Sequence, residues 1–146
     1  MGVMTAGEQI FIKVVEEQYP KEEDILRVIQ YVYRMPDTPY GGDRIYPLTP
    51  EAICRAFLYV QGYYRKTDGR RVLHMIVSFP EGSCIGPVQE TAVRISGAIG
   101  RRYQNVWAVH TNTGNLHIHF VINAVSYMDG KKVTVEEVRD CLAGMV

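Results

Sequence analysis

The segment HTNTGNLHIHFVIN, residues 110–123, holds three of the four histidines in the chain and decides the fold. Its second half alternates as a β-strand does. His117, His119, Val121 and Asn123 fall on one face, and Leu116, Ile118, Phe120 and Ile122 on the other. The run VWAVH, residues 106–110, reads as a partner strand, and NTGN between the two is a hairpin turn signal. Two registers are open. A two-residue loop at Gly114-Asn115 sets His110 opposite His119, whereas one at Thr113-Gly114 sets it opposite His117. Either brings His110, His117 and His119 onto one face of one hairpin, close enough to share an ion. Three neutral imidazoles with coordination positions left over suit a catalytic metal site rather than a closed structural one. Without a metal, the same rings are half-buried polar residues that disfavour one another's charged forms.

The bulk properties narrow the class. A chain of 146 residues is read as one domain with room for a sizeable core. No apolar run is long enough to span a bilayer, and MGVMTAGEQ lacks the basic start and apolar stretch of a signal peptide. Three scattered cysteines, Cys54, Cys84 and Cys141, show no C-x-x-C spacing. That argues against a structural zinc site and for a reducing, cytoplasmic setting. The net charge is zero, but its distribution is uneven. Acids outnumber bases in residues 1–40, and bases outnumber acids in residues 41–103. A locally basic surface is therefore open to a chain that is not basic as a whole.

The order of elements reads β-α-α-β-α-β-β-α. QIFIKVV (9–15) is a first strand, and EEDILRVIQYVYRM (22–35) a helix with acids in its first turn and Pro36 as its stop. Ile25, Val28, Ile29 and Val32 form its core stripe. PDTPYGGDRIYPL (36–48) reads as a loop long enough to be a functional flap. Thr49 and Pro50 start a second helix running to about Tyr64. RVLHMIVSF (71–79) is a strand, and VQETAVRISGAIGRRY (88–103) a helix with Ala92 and Val93 inward. The histidine hairpin follows, closed by YMDGKKV, and TVEEVRDCLAGM is a last helix capped by Thr134. The fold class is α+β: a central antiparallel sheet carrying the hairpin, with helices packed around it.

A metal on three histidines can polarise a phosphoryl oxygen or activate water, so the open question is the nucleophile. There is no Ser-His-Asp arrangement and no phosphate-binding G-x-x-x-x-G-K loop. Of the ten tyrosines, Tyr31 and Tyr33 lie on the first helix. Arg27 and Arg34, at i−4 and i+3, share the face of Tyr31. Positive charge favours a phenolate and suits a phosphodiester. Read alone, both tyrosines are ordinary amphipathic border residues. Arg65, Lys66, Arg70 and Arg71 around the KTDGR turn are candidate phosphate contacts, and equally ordinary solvated turn residues.

Three stretches, in order, resemble the relaxase (mobilisation nuclease) domains of the HUH endonuclease superfamily. ILRVIQYVYRMPDT is similar to the first motif, with Tyr31 at the nucleophile position. LTPEAICRAFLYVQGYYRKTDGRRVLHMIVSFPEG is similar to the helix, turn and strand of the second, with His74 and Ser78-Phe79 in register. HTNTGNLHIHFVINAVSYMDGKK is similar to the third, with its trailing asparagine and G-K-K. The resemblance covers roughly Ile25 to Lys132, and the third motif is the specific one. It implies a metal-dependent nickase that cuts one DNA strand at an origin of transfer in plasmid conjugation and mobilisation. Tyr31 would attack the scissile phosphate, keep a 5′-phosphotyrosine link and free a 3′-hydroxyl. His110, His117 and His119 would hold magnesium or manganese. Arg27, Arg34, His74, Asn123 and Lys132 would contact substrate. Supercoiled or single-stranded DNA, and accessory mobilisation proteins, are the implied partners, with no membrane.

The chain departs from the family pattern at two places. Asn112 stands where an acid usually follows the first histidine, and the lysine common after the first motif is missing from MPDT. These raise a second reading, a catalytically weak or inactive HUH-type DNA-binding accessory protein. Many relaxases continue beyond such a domain, so the chain is also compatible with a fragment. Tyr33 is the fallback nucleophile. Histidine-triad hydrolases need a further alternating histidine where Val121 stands, and two-histidine phosphoesterases need paired H-x-T/S motifs that are not here. Rolling-circle initiators usually carry the tyrosine after the histidines, whereas Tyr31 precedes them.

Overall fold

In the computed structural model, residues 2–5, 8–112, 114–143 and 145 are described. Residue 113, at one of the two turn positions considered above, lies outside them. The strands are β1 (Gly2–Thr5), β2 (Glu8–Val14), β3 (Tyr40–Asp43), β4 (Val72–Ser78), β5 (Asn105–His110) and β6 (His117–Asn123). They form one six-stranded sheet in the order β1-β2-β4-β6-β5-β3, with every pairing antiparallel. The histidine strand β6 is therefore central, flanked by β4 along its whole length and by β5 over six residue pairs. The register sets His110 opposite His117, the second of the two sequence alternatives.

The helices are α1 (Glu22–Val32), α2 (Pro50–Tyr63), α3 (Ile85–Ile99) and α4 (Val135–Ala143). They cover both faces of the sheet. Alternation along β4, β5 and β6 sends Leu73, Met75, Val77, Trp107, Val109, Ile118, Phe120 and Ile122 into the core under α3 and α4. The opposite residues Val72, Val106, Ala108 and Val121 pack under α1 and α2 with Ile25, Ile29, Ile53 and Phe57. Burial of each large apolar side chain stabilises by about 1.5–3 kcal/mol. With both faces covered, β6 alternates between two kinds of interior rather than between core and water.

Local chemistry sets the helix ends. Asp24 accepts from the Lys21 backbone N–H at 3.1 Å at the start of α1, and Thr49 Oγ1 accepts from Ala52 N at 3.3 Å at the start of α2. Helix α1 stops at Val32, three residues short of the expected Met35. The residue before a proline avoids the helical region, and Asp37 beyond it takes φ 60°, so the chain turns early.

Three expectations are corrected. The supposed flap is a strand over residues 40–43: YGGD pairs with β5 from Tyr40↔Ala108 to Asp43↔Asn105. A Cβ added at Gly41 would stand 2.7 Å from the Trp107 ring, so the glycine lets the edge strand lie flat on that indole. Strand β1 was missed altogether. On α3, Ala92 is buried but Val93 is exposed, because the buried stripe runs Val88, Ala92, Ile95, Ile99.

Candidate active site

The middle of the sheet turns a row of imidazoles toward α1. His110 ends β5, His117 opens β6 opposite it, and His119 lies one step further on the same face. His119 faces Ile76 of β4, which brings His74, the next residue on that face, within reach. The rings of His110 and His119 stack at 3.9 Å between centroids. His74 Nε2 and His119 Nδ1 share a hydrogen bond of 2.9 Å, and His74 Nδ1 shares another of 3.0 Å with Tyr19 Oη. The fourth histidine thus joins the cluster from β4, buried beneath it.

His110 is held from the helix side. Its Nε2 lies 2.7 Å from the backbone carbonyl of Val32. A carbonyl only accepts, so Nε2–H donates and Nδ1 keeps its lone pair. Val32 is the last residue of α1, and the residue four further on, Pro36, has no N–H to offer its carbonyl. The proline that ends the helix also leaves a backbone acceptor for the histidine ring. Asn112 is exposed in the hairpin loop, and the Val32 carbonyl holds the His110 ring from the helix side.

Burial keeps the rings of His74, His110 and His119 neutral. Desolvation, with His110 nearby, lowers His74 to about 4. Desolvation, reinforced by His110, His74 and His117, lowers His119 to about 2. Burial also lowers His110, against the opposing pull of its bond to Val32. Neutral nitrogen donors are what a metal requires. In one sense of the chain, His119 Nδ1–H donates to His74 and His74 Nδ1–H donates to Tyr19 Oη, leaving His119 Nε2 free to ligate. Burial raises the Tyr19 phenol to about 12, so its hydroxyl stays protonated as the terminus of that chain. The donor set fits a divalent ion in its chemistry, with a second hydrogen bond orienting two of the rings. As the rings stand, no three His, Cys, Asp or Glu side chains among the described residues form a ligand set.

Tyr31 lies over the cluster. Its ring centroid is 5.9 Å from both His110 and His119 and 6.3 Å from His74, and the residue is 45% exposed. Arg34 covers the ring at 4.4 Å. Tyr33 turns away: it is largely buried, its hydroxyl donates to Gly41 O at 3.4 Å, and desolvation raises its pKa. It faces a cleft of about 460 Å³ between the end of α1, β3 and the start of α2.

The other candidates divide. Arg27 does not flank Tyr31: its guanidinium pairs with Glu17 at 2.6 Å and Asp24 at 3.2 Å and covers the Tyr19 ring. Asn123 is fully buried. Its Oδ1 accepts from Gln61 and Val125 N, and its Nδ2 donates to Gln104 and the Phe57 carbonyl. His74 is likewise buried, and Lys132 donates to the Asp68 and Arg70 carbonyls, pinning that turn. In this structure Asn123, His74 and Lys132 hold protein groups rather than face a substrate. Arg71 too is buried, its Nε donating to Gln61 Oε1 at 2.6 Å. Tyr19 and the Val32–Pro36 pair were not anticipated. Tyr19 is one of ten tyrosines in a stretch with no periodic pattern, and a carbonyl leaves no mark in sequence.

Comparison with known proteins identifies the family. The family described as "Relaxase: MobA/VirD2-like, nuclease domain" matches residues 37–141. No curated protein matches the chain. The matched span contains His74 and the whole histidine hairpin, while Tyr31 lies just outside it. The chain belongs to the MobA/VirD2-like relaxase nuclease domains, a family of DNA-nicking mobilisation nucleases.

Proposed function

We propose that this chain nicks one strand of DNA at an origin of transfer by transesterification, with Tyr31 as nucleophile. The observation that carries the reading is the half-exposed Tyr31 ring seated over three imidazoles with Arg34 against it. The phenolic oxygen bonds to the scissile phosphorus, and the bond from phosphorus to the 3′ oxygen breaks. That oxygen leaves as a 3′-hydroxyl after gaining a proton, and the phenolic proton is lost. The 5′-phosphotyrosine link conserves the bond energy for rejoining. Arg34 sets a cation beside the attacked phosphate. A divalent ion on His110, His117 and His119, when bound, supplies positive charge to the phosphate oxygens. His74 and Val32 hold two of those imidazoles in orientation.

A non-catalytic DNA-binding role is the second reading. Asn112 in place of the acid, and the net charge of zero, favour it. Incubation with manganese and single-stranded oligonucleotides bearing transfer-origin sequences separates the two. A covalent adduct on denaturing gels, absent in Tyr31→Phe and weakened in His119→Ala, supports the nuclease. Specific DNA binding with no adduct on any cleavable origin supports the binder.

A further inference from the structure

Tyr19 stands between β2 and α1 with its backbone at φ 52°, a left-handed conformation that an aromatic residue rarely takes. Its segment is tied to β4 on both sides. Val15 N–H donates to the His74 carbonyl at 2.9 Å, and Arg71 N–H donates to the Gln18 carbonyl at 3.0 Å. These bonds hold a strained residue where its phenol meets His74 Nδ1 at 3.0 Å, with Arg27 over its ring at 5.6 Å. Tyr19 is only 5% exposed. Among the described residues its hydroxyl has no partner but His74.

That isolation chooses between the two senses of the Tyr19–His74–His119 relay. Where Tyr19 accepts from His74 Nδ1–H, its own hydrogen finds no acceptor in the protein. A buried donor left unpaired loses its water without replacement. Where Tyr19 donates, both bonds of the relay are made and no hydrogen is stranded: Oη–H to His74 Nδ1, then His74 Nε2–H to His119 Nδ1 at 2.9 Å. His119 then carries its one proton on Nε2. Among the described residues that nitrogen has no partner, yet it is not closed to water, so solvent meets the proton. A protonated ring nitrogen has no lone pair to give an ion.

We propose that Tyr19 is a positioning residue that holds the metal-free relay in its non-ligating sense, so that His119 becomes a ligand only when both histidine tautomers reverse. The proposal rests on the metal site of the nuclease reading. The reversal conserves charge. One proton leaves at His119 Nε2, the His74 Nε2 proton crosses to His119 Nδ1, the Tyr19 proton crosses to His74 Nδ1, and one proton enters at Tyr19 Oη. Both rings stay neutral, as their burial requires, and the phenol ends protonated. The relay thus weakens affinity for an ion without removing a ligand, because only the reversed fraction of the chain is competent to bind.

The test reads the protons first. Nitrogen-15 NMR of the full, metal-free chain with labelled histidines separates protonated from bare ring nitrogens. The parent should carry protons on Nε2 of both His74 and His119. Protons on Nδ1 of both overturn the proposal and leave the nuclease reading intact. Saturation with zinc, which is diamagnetic and takes imidazole ligands, should move both protons to Nδ1, and protons that stay in place overturn the proposal. Isothermal titration with manganese reads the consequence. Tyr19→Phe has no hydroxyl hydrogen to place, so it should bind manganese a few-fold to about tenfold more tightly than the parent. A residue with a packing role alone would not tighten the site on removal, so affinity equal to or below that of the parent overturns the proposal. A parent chain that binds neither zinc nor manganese overturns both the proposal and the metal-bearing reading beneath it.

Discussion

Replacing Asn123 by alanine removes four hydrogen bonds from a site with no access to water. Gln61 and Val125 N lose their acceptor, and Gln104 and the Phe57 carbonyl lose their donor. Gln61 keeps a second bond to Arg71 O at 2.9 Å, so it is the least affected. At about 1 kcal/mol net per bond, the loss is about 4 kcal/mol, a large share of a domain's marginal stability. With an ordinary urea dependence, the unfolding midpoint should fall by roughly 2 M. Urea unfolding followed by circular dichroism reads the midpoint. Anisotropy on the folded fraction at low temperature should give the parent's affinity for DNA. The outcome that refutes the reasoning is the converse: a parent-like midpoint with weakened DNA binding, which returns Asn123 to the substrate.

Three further outcomes follow from the site. In the presence of a chelator, stability should drop by about 2 kcal/mol between pH 7 and pH 5 through His74 alone. Its folded-state pKa is depressed from 6.5 to about 4, so its contribution is complete above 6.5 and is lost as pH falls toward 4. His74→Gln should remove that share and leave the share due to His119; a variant as steep as the parent counts against a buried neutral ring. Pro36→Ala restores an N–H that competes for the Val32 carbonyl, and isothermal titration should show manganese affinity a few-fold weaker; unchanged affinity removes Val32 from the site. An all-imidazole set is softer than magnesium prefers, so manganese should bind at least tenfold more tightly than magnesium, and equal affinities would point to oxygen ligands.

The hairpin was legible because alternation and histidine spacing reinforce each other, and either register placed the three rings on one face. The capped helices α1 and α2 were legible for a similar reason, since Thr49, Pro50 and the first-turn acids are local signals. Strand β3 was not. Tyr40–Asp43 has two glycines and no alternation, and it becomes a strand only through backbone pairing to β5 and contact with Trp107. Helical spacing placed Arg27 beside Tyr31, but a long side chain follows the nearest carboxylates, here Glu17 and Asp24. His74, Asn123 and Lys132 were recognisable as motif positions. Their bonds to His119, Gln61 and the Asp68 turn depend on which residues face them across the sheet, and sequence spacing does not carry that. Tyr19 reaches His74 across 55 positions, beyond any local pattern.

The most direct test of Tyr31 as nucleophile is mass spectrometry of the chain trapped on a cleavable origin strand with manganese. Trypsin releases VIQYVYR, residues 28–34, which carries Tyr31 and Tyr33 together. Fragmentation then reads which phenol is modified. The account predicts a 5′-phosphonucleotide on Tyr31. A nucleotide on Tyr33 or on any other residue, or a nicked strand with no protein adduct, contradicts it.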